Sequence, residues 1–260
     1  MFIDTHCHLY DEAFNNDRDK AVQRALNSGV GIMLLPDIDS SSTPYLDSLI
    51  TSYPDVFRPM TGLHPTSVHP ETMEQELEHV RNRLFNTQQS THNFVAVGEI
   101  GMDLYWDRSY EIEQREALRK QILWAEELEL PVALHIRKAH NEIFALLRDL
   151  NHRTYKGVMH CFGGSVQEAQ RAVEMGFSLG IGGVVTFKNA TLADVVKAVP
   201  LEKILLETDA PYLSPVPYRG KRNESSYLPL VAQRIAELRG ITMQEVAEQT
   251  TENAIRLFKL

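Results

Sequence analysis

Only two cysteines, Cys7 and Cys161, occur among the 260 residues, so no disulfide framework holds the fold and a reducing compartment is compatible with it. No apolar run approaches the roughly 20 residues that a bilayer-spanning helix needs. The N-terminus also lacks the basic and apolar regions of a secretory leader. A soluble, cytoplasmic chain without membrane association is therefore expected. Basic residues are in deficit as well, with 26 Lys and Arg against 35 Asp and Glu and a formal net charge of −9. That balance argues against a broad cationic surface for duplex binding and leaves room only for a local basic mouth. No Gly/Ser-rich or Pro-rich stretch, charge block or short-period repeat marks a linker. Residues 1–260 are accordingly expected to form a single domain.

What the sequence does contain is a steady alternation of short apolar runs with amphipathic stretches. Strands are predicted for the first residues up to His6, then over 30–35, 57–62, 94–98, 131–134, 157–159, 177–181 and 204–206. Helical spacing of apolar residues fills the intervals, as in Ala21, Val22, Ala25 and Leu26, or Met73, Leu77, Val80 and Leu84. Two further helical segments, 228–238 and 243–258, close the chain. Strands that are apolar almost throughout belong to a parallel sheet covered by helices. Eight such units in a chain close to the typical length of about 250 residues predict an α/β fold, a (β/α)8 barrel with an extra C-terminal helix. A doubly wound open sheet has the same periodicity, and the polar residues separate the two.

Seven polar residues fall at the C-terminal ends of six predicted strands: His6, His8, His64, Glu99, His135, His160 and Asp209. A barrel opens all those ends on one face, where active sites are built. One strand-end histidine is ordinarily a hydrogen-bonded polar group, but grouped buried charges cost several kcal/mol each without a compensating cation. His6 and His8 alternate on one side of their strand with Cys7 on the other. Four imidazoles (His6, His8, His135, His160) and two carboxylates (Glu99, Asp209) exceed one tetrahedral ion with an open position and suit two divalent ions sharing a carboxylate. Glu99 is expected to bridge them and His6 with His8 to hold the more buried ion, while Asp209 both ligates and takes a proton from water. Glu99 and Asp209 are thus the candidate catalytic groups.

The remaining polar residues read as substrate contacts. Arg137 offers a planar fork to phosphate; His64, in Gly-Leu-His-Pro, and Asp103, in Gly-Met-Asp, lie beside the cluster; and Glu207 faces the same way as Asp209, placed to support a ligand or to contact substrate. The loop after the last strand carries Arg219, Lys221 and Arg222, where barrels frequently bind phosphate, and Lys188 adds to that mouth.

The segments Phe2-Ile-Asp-Thr-His-Cys-His8, Gly62-Leu-His-Pro65, Val97-Gly-Glu-Ile-Gly-Met-Asp103, Leu134-His-Ile-Arg137, Met159-His-Cys-Phe162, Leu206-Glu-Thr-Asp-Ala-Pro-Tyr212 and Arg219-Gly-Lys-Arg-Asn-Glu224 run in order across almost the whole chain. Together they resemble the TatD family of metal-dependent deoxyribonucleases, within the amidohydrolase-like TIM-barrel superfamily. The resemblance implies a divalent-metal centre at His6, His8, Glu99, His135, His160 and Asp209. It also implies hydrolysis of DNA phosphodiesters, in some members 3′ to 5′, supported by Mg2+ or Mn2+ with Zn2+ as an alternative; the closed barrel mouth and the acidic net charge point to single-stranded or frayed ends. No obligate protein partner follows from it. Two departures are visible: Ser225 stands where the family commonly has Pro, and Tyr105-Trp106 occupies a variable loop, where packing of the exposed loop is the expected use of the aromatic rings and stacking on a base the alternative. Since fold and metals do not define substrate, hydrolysis of a small amide, lactone or phosphoester is the alternative expectation.

Overall fold

A computed structural model describes residues 1–86, 93–105, 107–151, 155–188 and 191–260. The chain runs β1 (Phe2–Asp4), α1 (Arg18–Asn27), β2 (Val30–Leu35), α2 (Thr43–Ser52), β3 (Phe57–Thr61), α3 (Met73–Phe85), β4 (Ala96–Asp103) and α4 (Glu111–Glu127). It continues through β5 (Val132–Arg137), α5 (His140–Leu150), β6 (Gly157–Met159), α6 (Val166–Glu174), β7 (Ser178–Ile181), α7 (Leu192–Ala198), β8 (Ile204–Leu206), α8 (Leu228–Arg239) and α9 (Met243–Phe258). The strands pair in parallel in the order β1 to β8. The seam between β8 and β1 is stitched by the Thr5 N–H donating to Leu206 O (3.0 Å) and the Asp209 N–H donating to His6 O (2.9 Å). These bonds bring together the two ends of the sheet, so the expected barrel is what forms, with helices around it.

Two apolar layers hold it. Ile3, Leu34, Met60, Ala96, Ala133, Val158 and Leu205 project inward, with Ala254 and Phe258 of α9 packed on them. The larger layer lies between strands and helices, including Val22, Leu46, Leu118, Ile143 and Val195. The extra helix α9 therefore has a definite place. Its Asn253 side chain donates to Leu201 O and Ile204 O, and its Thr251 hydroxyl donates to Met1 O, so it sits at the end where the strands begin. A Thr242–Glu245 capping box starts it. The opposite end of the barrel is left for chemistry. Among the described residues no helix is long and apolar enough to cross a membrane.

One strand departs instructively from expectation. The run predicted to stop at Gly98 continues as β4 to Asp103, paired with β5 through Ile100↔Leu134, Gly101↔His135, Met102↔Ile136 and Asp103↔Arg137. Glu99 is thus inside a strand, at a register shift between Val97 and Ile100. Gly101 makes the extension feasible: its φ is +153° and an added Cβ would lie 1.9 Å from His135 O. Polar and glycine residues that resemble a loop in sequence are here the close contact between two site-bearing strands.

Candidate metal centre

Glu99 is the hub. Its Oε2 lies 3.0 Å from His6 Nε2 and 3.7 Å from His8 Nε2, while its Oε1 lies 2.9 Å from His135 Nδ1, 3.0 Å from His160 Nε2 and 3.4 Å from His64 Nε2. Asp209 approaches from β8, with Oδ1 3.5 Å from His8 Nε2 and 4.0 Å from His6 Nε2. Its φ of +57° is left-handed, a conformation that Asp tolerates better than most side chains. Among the described residues, three overlapping sets of ligating atoms lie within 4.8 Å of one another: His6, His160 and Asp209; His6, His8 and Glu99; and His64, Glu99 and His135. All seven polar residues predicted at strand ends are brought together.

Hydrogen bonds from behind decide which ring nitrogens offer lone pairs. Tyr10 gives its single hydroxyl proton to Pro36 O (2.6 Å), so it must accept from His8 Nδ1–H at 2.9 Å. A neutral His8 then aims the Nε2 lone pair at two carboxylates, a repulsive arrangement that a cation between them converts to ligation. His135 Nε2 lies 3.0 Å from Asp103 Oδ2, which places a proton there and turns Nδ1 toward Glu99. His160 Nδ1 lies 3.3 Å from Glu207 Oε1, an ion-pair approach rather than an aligned hydrogen bond, and its Nε2 faces Glu99. His6 stacks on His160 with ring centroids 3.6 Å apart. The donor set, imidazole nitrogens with carboxylates, suits Zn2+ or Mn2+ and accommodates Mg2+ through the carboxylates.

His64 is different. Its Nδ1 accepts the Thr66 N–H (3.2 Å), so Nε2 carries the proton and faces the centre as a donor. It presents a hydrogen bond to an anion rather than a lone pair to a cation.

Electrostatics agree with this division. Burial alone would raise the Glu99 carboxyl, but the charges of His160, His6 and His64 hold it well below the usual range. Burial opposes protonation of His160, yet Glu99 and Glu207 lift it well above its ordinary value. Binding a cation here must therefore displace protons from imidazoles.

A family model described as TatD related DNase matches residues 3–259. The chain belongs to the TatD family. It is similar over its full length to the uncharacterized metal-dependent hydrolase YabD of Bacillus subtilis, with 38% identity over 100% of both chains. The 3'-5' ssDNA/RNA exonuclease TatD of Erwinia tasmaniensis is 34% identical over 99% of this chain and 100% of that protein. The crystal structure of YjjV, a TatD homolog from Escherichia coli K12, matches with a TM-score of 0.90 at 32% identity, covering 100% of this chain and 98% of that one. The chain is a metal-dependent hydrolase of this family.

Within this TatD family member, several residues expected to touch substrate have other positions. Asp103 and Glu207 are buried behind His135 and His160, and Glu207 also accepts the Cys161 N–H. They orient ring nitrogens and do not face the mouth, because the strands carrying them turn those carboxylates into the barrel wall. Arg222 is likewise withdrawn. Its guanidinium pairs with Asp17 at 2.6 Å, adds Glu224 at 3.7 Å and lies over the Phe14 ring. With the Arg24–Glu224 pair at 2.6 Å it ties the β8 loop to α1. Arg219, Lys221, Lys188 and Arg137 remain exposed, Arg219 over the Phe187 ring and Arg137 over that of Tyr105. Trp106 lies outside the described residues.

Sequence reasoning missed Tyr10 and Asp37. Tyr10 could have been found as the next same-face residue in His6-x-His8-x-Tyr10. Replacing it by Phe should lower divalent-metal affinity about 10- to 100-fold, read by competition with a chromogenic chelator, because His8 loses the partner that sets its tautomer. Asp37 had no sequence signal. Its N–H donates to Gly98 O (3.3 Å) and its carbonyl accepts the Glu99 N–H (3.1 Å), bracketing the peptide that carries the hub. Ser42 and Thr43 hydroxyls donate to its carboxylate at 2.6 and 2.7 Å.

Burial pushes the Asp37 carboxyl from 3.8 up to about 6. A raised carboxyl contributes stability that is present below pH 3.8 and lost as pH rises through 6. Asp37→Asn removes that loss. Relative to wild type, the variant should gain up to about 3 kcal/mol between pH 3.5 and pH 7.5, measured as the difference between two urea-denaturation series.

Proposed function

We propose that this protein is a nuclease that removes nucleotides from the 3′ ends of single-stranded DNA, using two divalent ions held by His6, His8, Glu99, His135, His160 and Asp209. The observation carrying this reading is the convergence of four imidazoles, those of His6, His8, His135 and His160, on the Glu99 carboxylate, in an otherwise acidic protein with exposed cations on the loops after the strands. The exonuclease TatD of Erwinia tasmaniensis, similar along its whole length, supports the substrate class and extends it to RNA.

When bound, the divalent ions supply Lewis acidity and lower the pKa of water. The protein's own groups do the rest. Asp209, whose side chain is 15% exposed against 3% for Glu99, faces the incoming strand and accepts the proton of the attacking water. Glu99 keeps its negative charge among the imidazoles and holds the two halves of the centre together. His64 donates Nε2–H to a phosphate oxygen as negative charge develops. Arg137, Arg219 and Lys221 draw the backbone to the mouth, so binding weakens with salt.

Incubating metal-loaded protein with 5′-labelled and 3′-labelled single-stranded DNA tests the reading. A descending ladder from the 5′ label and early release of the 3′ label are expected. Intact DNA with Mg2+, Mn2+ and Zn2+ alike, together with turnover of a small lactone, amide or phosphoester, would overturn it.

A further inference from the structure

We infer that Tyr212 is a stacking platform for the nucleobase next to the bound phosphate, an assignment that rests on the nuclease reading above. Tyr212 follows β8 three residues after Asp209, and its ring lies 6.2 Å from the His8 ring at 64°. It is 53% exposed, an unusual state for an aromatic residue touching a buried polar centre.

Its backbone is nonetheless pinned. The Tyr212 N–H donates to Asp209 O at 2.8 Å, and Tyr212 O accepts from Asn223 Nδ2 at 2.7 Å. Asn223 is buried, and the same amide group donates to Thr208 O at 2.7 Å. The hydroxyl reaches Asp11 Oδ2 at 3.5 Å. A ring held by its backbone and its tip, with more than half of the residue open to solvent, loses little entropy on accepting a flat partner.

The surroundings extend this surface. Leu213 and Val216, 43% and 47% exposed, continue the apolar strip along the same loop. The cations Arg219 and Lys221 follow on that loop, exposed, where a phosphate backbone would run. Across the mouth Tyr105 follows β4, and Arg137, the last residue of β5, lies with its Cζ 4.1 Å over that ring. In an eight-stranded barrel ordered β1 to β8, β4 and β8 face each other. Flat surfaces thus stand on opposite sides of the metal centre.

Every base has a π-face, so such a platform recognises nucleobases without choosing among them. A base stacked and paired within a duplex cannot present that face. Tyr212 therefore selects single-stranded ends, and it selects nucleotides over phosphodiesters that carry no base.

Two single-stranded oligonucleotides, abasic at either the 3′-terminal or the penultimate position, flank the last phosphodiester with one missing base. Wild-type protein should process one of them with kcat/KM about tenfold below that of the intact strand, since stacking on an aromatic ring contributes on the order of 1–3 kcal/mol per base. Tyr212→Ala should abolish that discrimination and weaken anisotropy-monitored binding of the intact strand in EDTA by a similar factor. Tyr212→Phe, which keeps the ring, should restore both. Far-ultraviolet circular dichroism and melting curves establish that each variant is folded. Equal processing of intact and abasic strands by wild type, or retained discrimination in Tyr212→Ala, would overturn the stacking assignment while leaving the nuclease reading in place. Failure of wild type to cleave any strand would overturn both.

Discussion

Glu99→Gln should lower hydrolysis by about 10^3-fold or more and remove most bound metal. Glu99 presents one oxygen to His6 and His8 and the other to His135, His160 and His64. Glutamine keeps the shape but replaces one oxygen with an N–H2 group, which points protons into the place a cation would occupy. Loss of several kcal/mol of charge stabilisation corresponds to that rate factor. The stability change separates this cause from simple unfolding. Without metal, the substitution removes a buried carboxylate whose partners must be protonated to match it, so the melting temperature should stay near that of the metal-free wild type. Wild type should gain about 4 kcal/mol at a metal concentration 1,000-fold above Kd, and the variant should gain almost nothing. Metal analysis and melting curves with and without Mn2+ give both quantities. Full metal content with unchanged kcat would remove Glu99 from the role of bridge.

Asp209→Asn should reduce kcat by roughly 10^2- to 10^4-fold at saturating metal, the range associated with losing a general base, with a much smaller effect on KM. Burial by itself would raise the Asp209 carboxyl, but the neighbouring His8 and the charges of His160 and His6 hold it below its ordinary 3.8. A depressed carboxyl is ionised throughout the neutral range. The base is therefore available above about pH 4, and an adjacent cation extends that window downward. The pH profile of wild type should show no acidic limb from Asp209 above pH 4, whereas the variant should be slow at every pH. A kcat within threefold of wild type would assign the proton to another group.

How far the site can be read in sequence depends on what kind of fact is sought. His6 and His8 are legible as a pair from the His-x-His spacing after an apolar run, but the strand expected to reach His6 ends at Asp4, so both rings lie on the segment that follows β1 and alternation along a strand does not set their direction. The helices are legible from their periodicity, with β2, β6, β8 and α9 at their expected bounds. The end of β4 was not legible. Glu99, Gly101 and Asp103 have the composition of a loop, and only pairing with His135 to Arg137 on β5 makes them strand. Asp103, Glu207 and Arg222 show the other limit. Arg222 has the right chemistry for a phosphate-binding mouth and the two carboxylates for a polar substrate contact, but Asp17 takes Arg222 and two histidines take the carboxylates.

Tyr10 and Asp37 were missed for a related reason. Their contribution lies in contacts to Pro36 and to the Gly98–Glu99 peptide; the spacing of Tyr10 from His8 hints at the first, and nothing in local sequence reports the second. By itself the amino-acid sequence determined the alternation of strand and helix, the side of the sheet on which the polar residues end, and the chemistry of the donors. Those properties follow from periodicity and side-chain type, which are local. Only the tertiary structure decided which nitrogen carries the proton, which carboxylate faces the mouth and which stands behind a histidine, and which arginine remains exposed. These depend on ångström-scale approaches between segments as distant as Thr5 and Leu206, and closure of the barrel sets them.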